Sequence, residues 1–224
     1  MSEDEARSWL DSTFDVSRET WDQLEAYVTM LLTESTQQNL IAESTYNRVW
    51  ARHIVDSAQL LKLAPPVKNS ESLWVDLGSG AGLPGVMVAI LSGYSVLMIE
   101  MRRKRVEFLQ SVIDRLGIAN ARVFLGKVER AEITHPAAVI SARAYAPMER
   151  LIPSAHHLTD FSTIWLLPKG QNHQNELAIA QQLWHCDAST EQSITAPDSA
   201  ILKLTDVRRR HDAKKGIRKA GGKA

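Results

Sequence analysis

The stretch Val75-Asp76-Leu77-Gly78-Ser79-Gly80-Ala81-Gly82-Leu83-Pro84-Gly85 decides how this chain is read. Four glycines crowd the eight positions that follow an apolar run ending at Leu77. Glycine packs nothing and loses more backbone entropy on folding than any other residue. A loop built this way makes sense where a ligand approaches the backbone closely. Gly80 to Gly85 fits G-x-G-x-x-G, which alone signals a dinucleotide turn only weakly. In nicotinamide enzymes the first glycine stands at the strand end and a pyrophosphate rests on the following helix. Here Asp76 lies just before the loop and would repel a pyrophosphate. It suits a ligand that brings positive charge or amine donors, such as S-adenosylmethionine.

A second acid, Glu100, closes the apolar run Val96-Leu97-Met98-Ile99, 24 residues after Asp76. A carboxylate there accepts ribose hydroxyls in either cofactor class, so it points to a nucleoside without choosing between the two. Arg102-Arg103-Lys104-Arg105 follows and opens a helix, where the dipole disfavours cations. That run reads either as a solvated helix face or as a basic rim facing RNA phosphates, with Arg102, Arg103 and Lys104 as candidates.

Working outward, apolar spacing predicts strands over 73–77, 94–99, 121–125, 137–140, 163–167, 184–195 and 201–207. Helices are expected over 84–91, 102–116, 148–157 and 174–183, with the last two strands antiparallel. Strand and helix alternate at α/β spacing. Before the first strand, Trp21, Leu24, Val28, Leu31 and Leu32 share one helical face over 18–38. A second helix, capped by Ser44 or Thr45, buries Tyr46, Val49, Trp50, Ile54, Ala58 and Leu61 and stops at Pro65-Pro66. The expected organisation is a helical cap over 1–66, an α/β domain over 67–207 and a basic tail over 208–224.

The net charge of zero hides a polar molecule. Residues 1–60 hold eleven acids against four Lys or Arg, and residues 203–224 hold nine Lys or Arg against two acids. The basic end, including Arg208, Arg209 and Arg210, could track a phosphate backbone or could simply be a solvated terminus. One cysteine, Cys186, excludes an internal disulfide and fits a reducing compartment. The start MSEDEARSW is acidic and lacks the apolar core of a signal peptide, and no apolar run reaches spanning length. A cytoplasmic protein without membrane contact is expected. The seven histidines form no H-E-x-x-H pattern, so no metal site is expected.

Several segments, in order, resemble the family of 16S ribosomal RNA guanine-N7 methyltransferases once called glucose-inhibited division protein B. They are NLIAES (39–44), WARHIVDS (50–57), VDLGSGAGLPG (75–85), RRKRVEFL (102–109), GKVE (126–129), SARAYAP (141–147) and LLPKG (166–170). The resemblance implies a class I, Rossmann-like methyltransferase with a mostly parallel seven-stranded sheet and an N-terminal helical cap. It implies S-adenosylmethionine as cofactor, lined by Gly78 and Leu83 from the loop and by Val128 and Glu129 at the adenine end; Asp76, Gly80, Gly82 and Glu100 join them as cofactor candidates on the reading of the loop and strand ends above. Arg143 is expected near the methionine part and the transfer site. The family more often has Arg where this chain has Lys127. The signature Arg-His-x-x-Asp-Ser falls on Arg52, His53, Asp56 and Ser57, of which the first three join Arg143 as catalytic candidates.

Physical spacing reads the same signature as two helix couples, Arg52 with Asp56 and His53 with Ser57, each at i, i+4. Arg143 follows the fourth strand, where open sheets bind ligands, and can clamp a carboxylate or phosphate. Lys169 follows the fifth strand and is a candidate for RNA phosphate. Guanine N7 has a free lone pair, so in-line methyl transfer needs positioning rather than a general base. No Asn/Asp-Pro-Pro-Tyr motif follows the fourth strand, and Cys186 lies too far along to be a cytosine-directed nucleophile. Trp50 is a candidate for base stacking, although the core of the cap helix is the reading its place in the apolar stripe favours. The expected partner is 16S rRNA or the small ribosomal subunit, met by a monomer. A methyltransferase of small molecules or proteins, a binding module with a dead site and a nicotinamide enzyme are the alternatives.

Overall fold

The computed structural model describes residues 1–68 and 72–210. Helix α1 (Glu3–Phe14) starts with a reciprocal cap: Ser2 Oγ accepts from the Glu5 N–H, and the Glu5 carboxylate accepts from the Ser2 N–H. Helix α2 (Arg18–Gln38) is capped by Ser17 and ends with Asn39 in the left-handed region. A continuous but irregular helical run follows. It is 3₁₀ over Glu43–Arg48, π over Trp50–Val55, α over α3 (Asp56–Ala58) and 3₁₀ again over Gln59–Lys62. The Glu3 carboxylate accepts from the N–H groups of Trp50 and Ala51 at 3.0 and 2.9 Å. It thereby satisfies donors that the widening to π geometry leaves free.

Seven strands then form one sheet, in the order β3 (Ala121–Leu125), β2 (Ser95–Glu100), β1 (Leu73–Leu77), β4 (Val139–Ser141), β5 (Ile164–Lys169), β7 (Ala200–Arg209) and β6 (Trp184–Gln192). The first five run parallel, and β7 is antiparallel to both β5 and β6. This is the expected mostly parallel seven-stranded sheet. Its order reverses between β1 and β4, which opens a crevice beyond their C-terminal ends.

Helices α4 (Gly85–Leu91) and α5 (Arg103–Leu116) cover one face, together with the N-terminal helices. On that face Leu10, Leu24, Leu31 and Ile54 share a core with Val86, Met98 and Leu109. Helices α6 (Met148–Ala155) and α7 (His173–Ala180) cover the other face over Val75, Ile140, Trp165 and Leu202. Burying an aliphatic side chain contributes about 1.5–3 kcal/mol, so these two layers set the sheet's position between them.

Three sequence readings change here. Helix α1 was not anticipated, and its 12 residues make a third element of the cap. The second cap helix is interrupted by the π turn. Strand β7 extends through Arg209, so Arg208 and Arg209 belong to the sheet. The tail from residue 211 onward lies outside the described residues. Cys186 lies buried in β6, and burial pushes its thiol up. Among the described residues no helix is long and apolar enough to cross a membrane.

Candidate active site

Two cavities open at the C-terminal ends of the parallel strands. Each has a volume of about 480 Å³, and Ala144 and Tyr145 line both.

The first cavity is bounded by Gly78, Glu100, Arg102, Arg105, Val128 and Glu129, among others. Gly78 has φ +64 and lies so close to Tyr145 that a Cβ would stand 2.5 Å from its ring. Only glycine meets both conditions without strain. Glu100 is buried and heavily engaged. Its Oε1 accepts from the N–H groups of Met101 and Arg102, both at 2.8 Å. Its Oε2 accepts from the Gly80 N–H at 3.0 Å and faces Arg105 at 3.9 Å. A carboxylate offers about four lone-pair positions, so the geometry leaves Glu100 roughly one for a hydroxyl of a ligand. Arg102 stands on the rim, whereas Arg103 is exposed and Lys104 turns into a groove between α2 and α5.

Asp76 does not line this cavity. It is fully buried behind the loop, where Oδ1 accepts from Ser141 Oγ at 2.7 Å and Oδ2 from the Gly85 N–H at 3.3 Å. Ser141 Oγ in turn accepts from the Trp74 indole at 2.8 Å. Burial pushes the Asp76 carboxyl up to about 6, against the lowering pull of these hydrogen bonds and of Arg143. Asp76 therefore fastens β1 to β4 and to the start of α4. The sequence argument that made it the direct partner of a positive ligand does not hold in this geometry. Gly80 gives its N–H to Glu100. Gly82, at φ +90, allows Val86 and Leu109 to approach, since a Cβ would lie 2.5 and 2.8 Å from them. Leu83 is buried in the core. Tyr27 Oη donates to the Ala81 carbonyl at 2.8 Å, tying α2 to the loop.

The second cavity is lined by Arg52, Asp56, Arg143, Lys169, Glu176 and the segment before β7. The Arg-His-x-x-Asp-Ser signature is assembled around Arg143. The guanidinium donates to His53 Nδ1 at 2.6 Å and to Ser57 Oγ at 3.3 Å, and lies 3.6 Å from Asp56 Oδ2. The expected couples within the helix are thus replaced by a contact across the fold. Burial, followed by the charges of Arg143 and Arg52, pushes His53 down to about 3. Asp56 Oδ1 accepts from Thr195 Oγ1 at 2.6 Å and from Gln59 at 3.1 Å, and Gln59 reaches Ser193 and Ile194. These bonds dock the β6–β7 connection onto the cap. Lys169 Nζ donates to Glu176 at 2.8 Å and to the Ala146 carbonyl at 3.1 Å.

Four other candidates fall elsewhere. Trp50 is buried in the cap against Trp21, with Arg7 stacked 4.1 Å from its ring centroid. Arg208 and Arg209 lie at the opposite end of the sheet. Ala200 pairs with Lys169 beside the crevice, and β7 runs away from it. Nine residues at about 3.3 Å each put Arg209 roughly 30 Å off. Arg210 donates to the Gln181 carbonyl on that far side. Sequence reasoning missed Tyr145, Glu176, Thr45 and Thr195, whose parts depend on neighbours distant in the chain.

The switch-point crevice, its strand-end carboxylate and its glycine loop define a class I, Rossmann-like S-adenosylmethionine-dependent methyltransferase. The fold agrees with solved structures of that class. A methyltransferase of this kind from Aquifex aeolicus superposes with a TM-score of 0.57 at 12% identity, covering 77% of this chain and 98% of that one. The glycopeptide N-methyltransferase MtfA, solved with S-adenosylmethionine, gives 0.56 at 9% identity, covering 68% and 93%. At such identities the likeness concerns the fold alone.

Within that class the chain belongs to the GidB family, described as rRNA small subunit methyltransferase G, whose model matches residues 20–205. The ribosomal RNA small subunit methyltransferase G of Sphingopyxis alaskensis is 49% identical over 197 residues, 88% of this chain and 83% of that protein. The protein of the same name from Zymomonas mobilis is 45% identical over 214 residues, 92% and 95%.

Proposed function

We propose that this protein transfers a methyl group from S-adenosylmethionine to N7 of a guanine in 16S ribosomal RNA, acting as a monomer in the cytoplasm. The observation that carries this reading is the pair of cavities meeting at Ala144 and Tyr145. One has the chemistry for a nucleoside-bearing donor, and the other presents the guanidinium of Arg52, which among the described residues has no ion-pair partner, for an anionic group of a nucleic acid.

The first cavity fits the donor. Its volume lies within the range of small-molecule sites, about 300–1,000 Å³. Glu100 has a lone pair free for a ribose hydroxyl, Gly78 lets the ligand meet bare backbone, and Val128 and Glu129 flank the adenine end. Asp76, Gly80, Gly82 and Leu83 act from behind by holding the loop's shape. The donor supplies an activated methyl on a sulfonium. This chain's residues supply orientation and exclude water.

Guanine N7 keeps its lone pair free, so no proton has to leave before attack. His53 agrees with that demand. Both of its ring nitrogens are occupied, and it stays neutral far below neutral pH. Its part is to hold Arg143, together with Asp56 and Ser57. Positioning of this kind can supply several kcal/mol of a barrier. N7 lies on the major-groove edge, which is narrow and deep in helical RNA. The guanine therefore enters the second cavity unstacked, as in a loop. We read 1–66 as the cap that closes this cavity and 67–207 as the transfer domain, whose last strand also carries Arg208 and Arg209 out of the expected tail.

The test is incubation with labelled S-adenosylmethionine and 30S particles lacking the modification, followed by mapping of the labelled nucleotide. One guanine, modified at N7, is the expected product. Absence of transfer, or label on ribose or an exocyclic amine, would overturn the proposal.

A further inference from the structure

The second cavity contains three cations, and their partners distinguish them. Arg143 faces Asp56 at 3.6 Å, and Lys169 is bound to Glu176 at 2.8 Å. Each of those charges is already met by a carboxylate in the same wall. Arg52 differs. Its side chain is half-buried, it lines the cavity, and among the described residues it takes part in no ion pair. The carboxylate that helix spacing would give it, Asp56, is turned toward Arg143, Gln59 and Thr195 instead. Diverting Asp56 in this way leaves a guanidinium facing an otherwise neutralised chamber.

We infer that Arg52 is the phosphate clamp of the second cavity, binding a backbone phosphate next to the unstacked target nucleotide, while Lys169 and Arg143 serve as internal struts. This rests on the RNA-directed reading above and deepens it. A guanidinium is planar, permanently charged and able to give two parallel hydrogen bonds to one phosphate. The assignment reverses the part given to Lys169 in the sequence. With its ammonium held by Glu176 and the Ala146 carbonyl, Lys169 fixes the Ala144–Met148 wall. Glu176 completes that strut by accepting from the Met148 N–H at 3.2 Å.

Counterion release reads the difference directly. Each phosphate contact to single-stranded nucleic acid steepens the salt dependence of binding by about 0.7 in log–log slope. The experiment measures binding of full-length protein to unmodified 30S particles between low and moderate salt. It also measures donor affinity by calorimetry and methyl transfer by the wild-type protein. Arg52→Gln is expected to flatten the slope by about 0.7. Its affinity should fall on the order of fivefold at low salt, a gap that narrows as salt rises. Arg52→Lys is expected to keep the slope. The double variant Lys169→Gln with Glu176→Gln, which leaves the net charge unchanged, is expected to keep the slope and lose thermal stability.

A wild-type slope for Arg52→Gln, or an equal flattening in the double variant, would overturn the inference. So would an Arg52→Gln protein that loses donor affinity at an unchanged slope, since the guanidinium would then serve the donor's carboxylate. In those cases transfer by the wild-type protein leaves the proposed function standing. A wild-type protein that neither binds nor methylates the particles removes both.

Discussion

Arg143 Nη2 stands 2.6 Å from His53 Nδ1. A guanidinium can only donate, so that ring nitrogen must be the acceptor. The proton then resides on Nε2, which donates to Thr45 Oγ1 at 2.7 Å, and Thr45 passes its own proton to the Ala42 carbonyl at 2.6 Å. A threonine at the start of the irregular helical run thus fixes the tautomer that holds the arginine just after the fourth strand.

Thr45→Val removes that acceptor while keeping the shape. The lost hydrogen bond is worth about 1–2 kcal/mol, or roughly a tenfold fall in transfer rate if orientation of Arg143 limits it. Thr45→Ser should restore the rate. Steady-state kinetics at saturating donor check this, and nitrogen chemical shifts of the His53 ring should show mixed tautomers in the valine variant only.

Protonation of His53 should destabilise the fold. Its folded value is pushed down to about 3 from 6.5, so between those limits the unfolded chain binds the extra proton. Stability therefore falls as pH drops below 6.5. Thermal melts of wild type and His53→Gln at pH 7 and pH 5 should diverge on the acid side, the wild type losing on the order of 1–2 kcal/mol more. Parallel loss in both proteins would refute the assignment.

Asp76 gives the opposite sign. Its carboxyl is pushed up from 3.8 to about 6, so the folded state holds the proton more tightly and stability declines as pH rises between those values. Asp76→Asn should remove that decline. Asp76→Ala should cost about 2–4 kcal/mol by stranding the Ser141 hydroxyl and the Gly85 N–H, and should weaken donor binding through the displaced loop. Chemical denaturation and calorimetry measure both, and donor affinity unchanged in the alanine variant would sink the positioning argument.

Gly78→Ala should damage the donor cavity specifically. A left-handed alanine costs roughly 1–2 kcal/mol, and its Cβ would meet the Tyr145 ring at 2.5 Å. The expected result is a modest drop in melting temperature with at least tenfold weaker donor binding. Gly117→Ala is the control. It also has positive φ, but a Cβ there meets nothing within 4 Å, so it should lose stability alone.

Much of this was legible beforehand, for identifiable reasons. Strands such as β1 and β3 are short apolar runs bounded by turn residues, and α2 shows its buried face as a period in Leu24, Val28 and Leu31. Helix α1 was legible too, since Ser2 and Glu5 stand at capping-box spacing and Ala6 and Leu10 lie one turn apart. The density of acids in the segment masks that signal. Other features could not be read. Helical spacing pairs Arg52 with Asp56, but the π turn at Trp50–Val55 and the distant Arg143 decide otherwise. Likewise an acid before a glycine loop reads as a ligand contact, and only packing reveals that Asp76 is sealed behind it. Sequence shows which residues share an element; it does not show which carboxylate meets which cation across the fold.

Ala144, at φ +54, turns the chain so that Arg143 points toward the cap and Tyr145 lies over Gly78. This single bend is a party wall between two rooms. Any coupling between the two occupants has this shared wall as its shortest path, and thermodynamic linkage would make it symmetrical. Whatever factor the methyl donor imposes on RNA affinity, RNA must impose on the donor. Linkage of that kind sets no order of filling; it only makes the two affinities rise or fall together, across a wall that Ala144 and Tyr145 lend to both chambers.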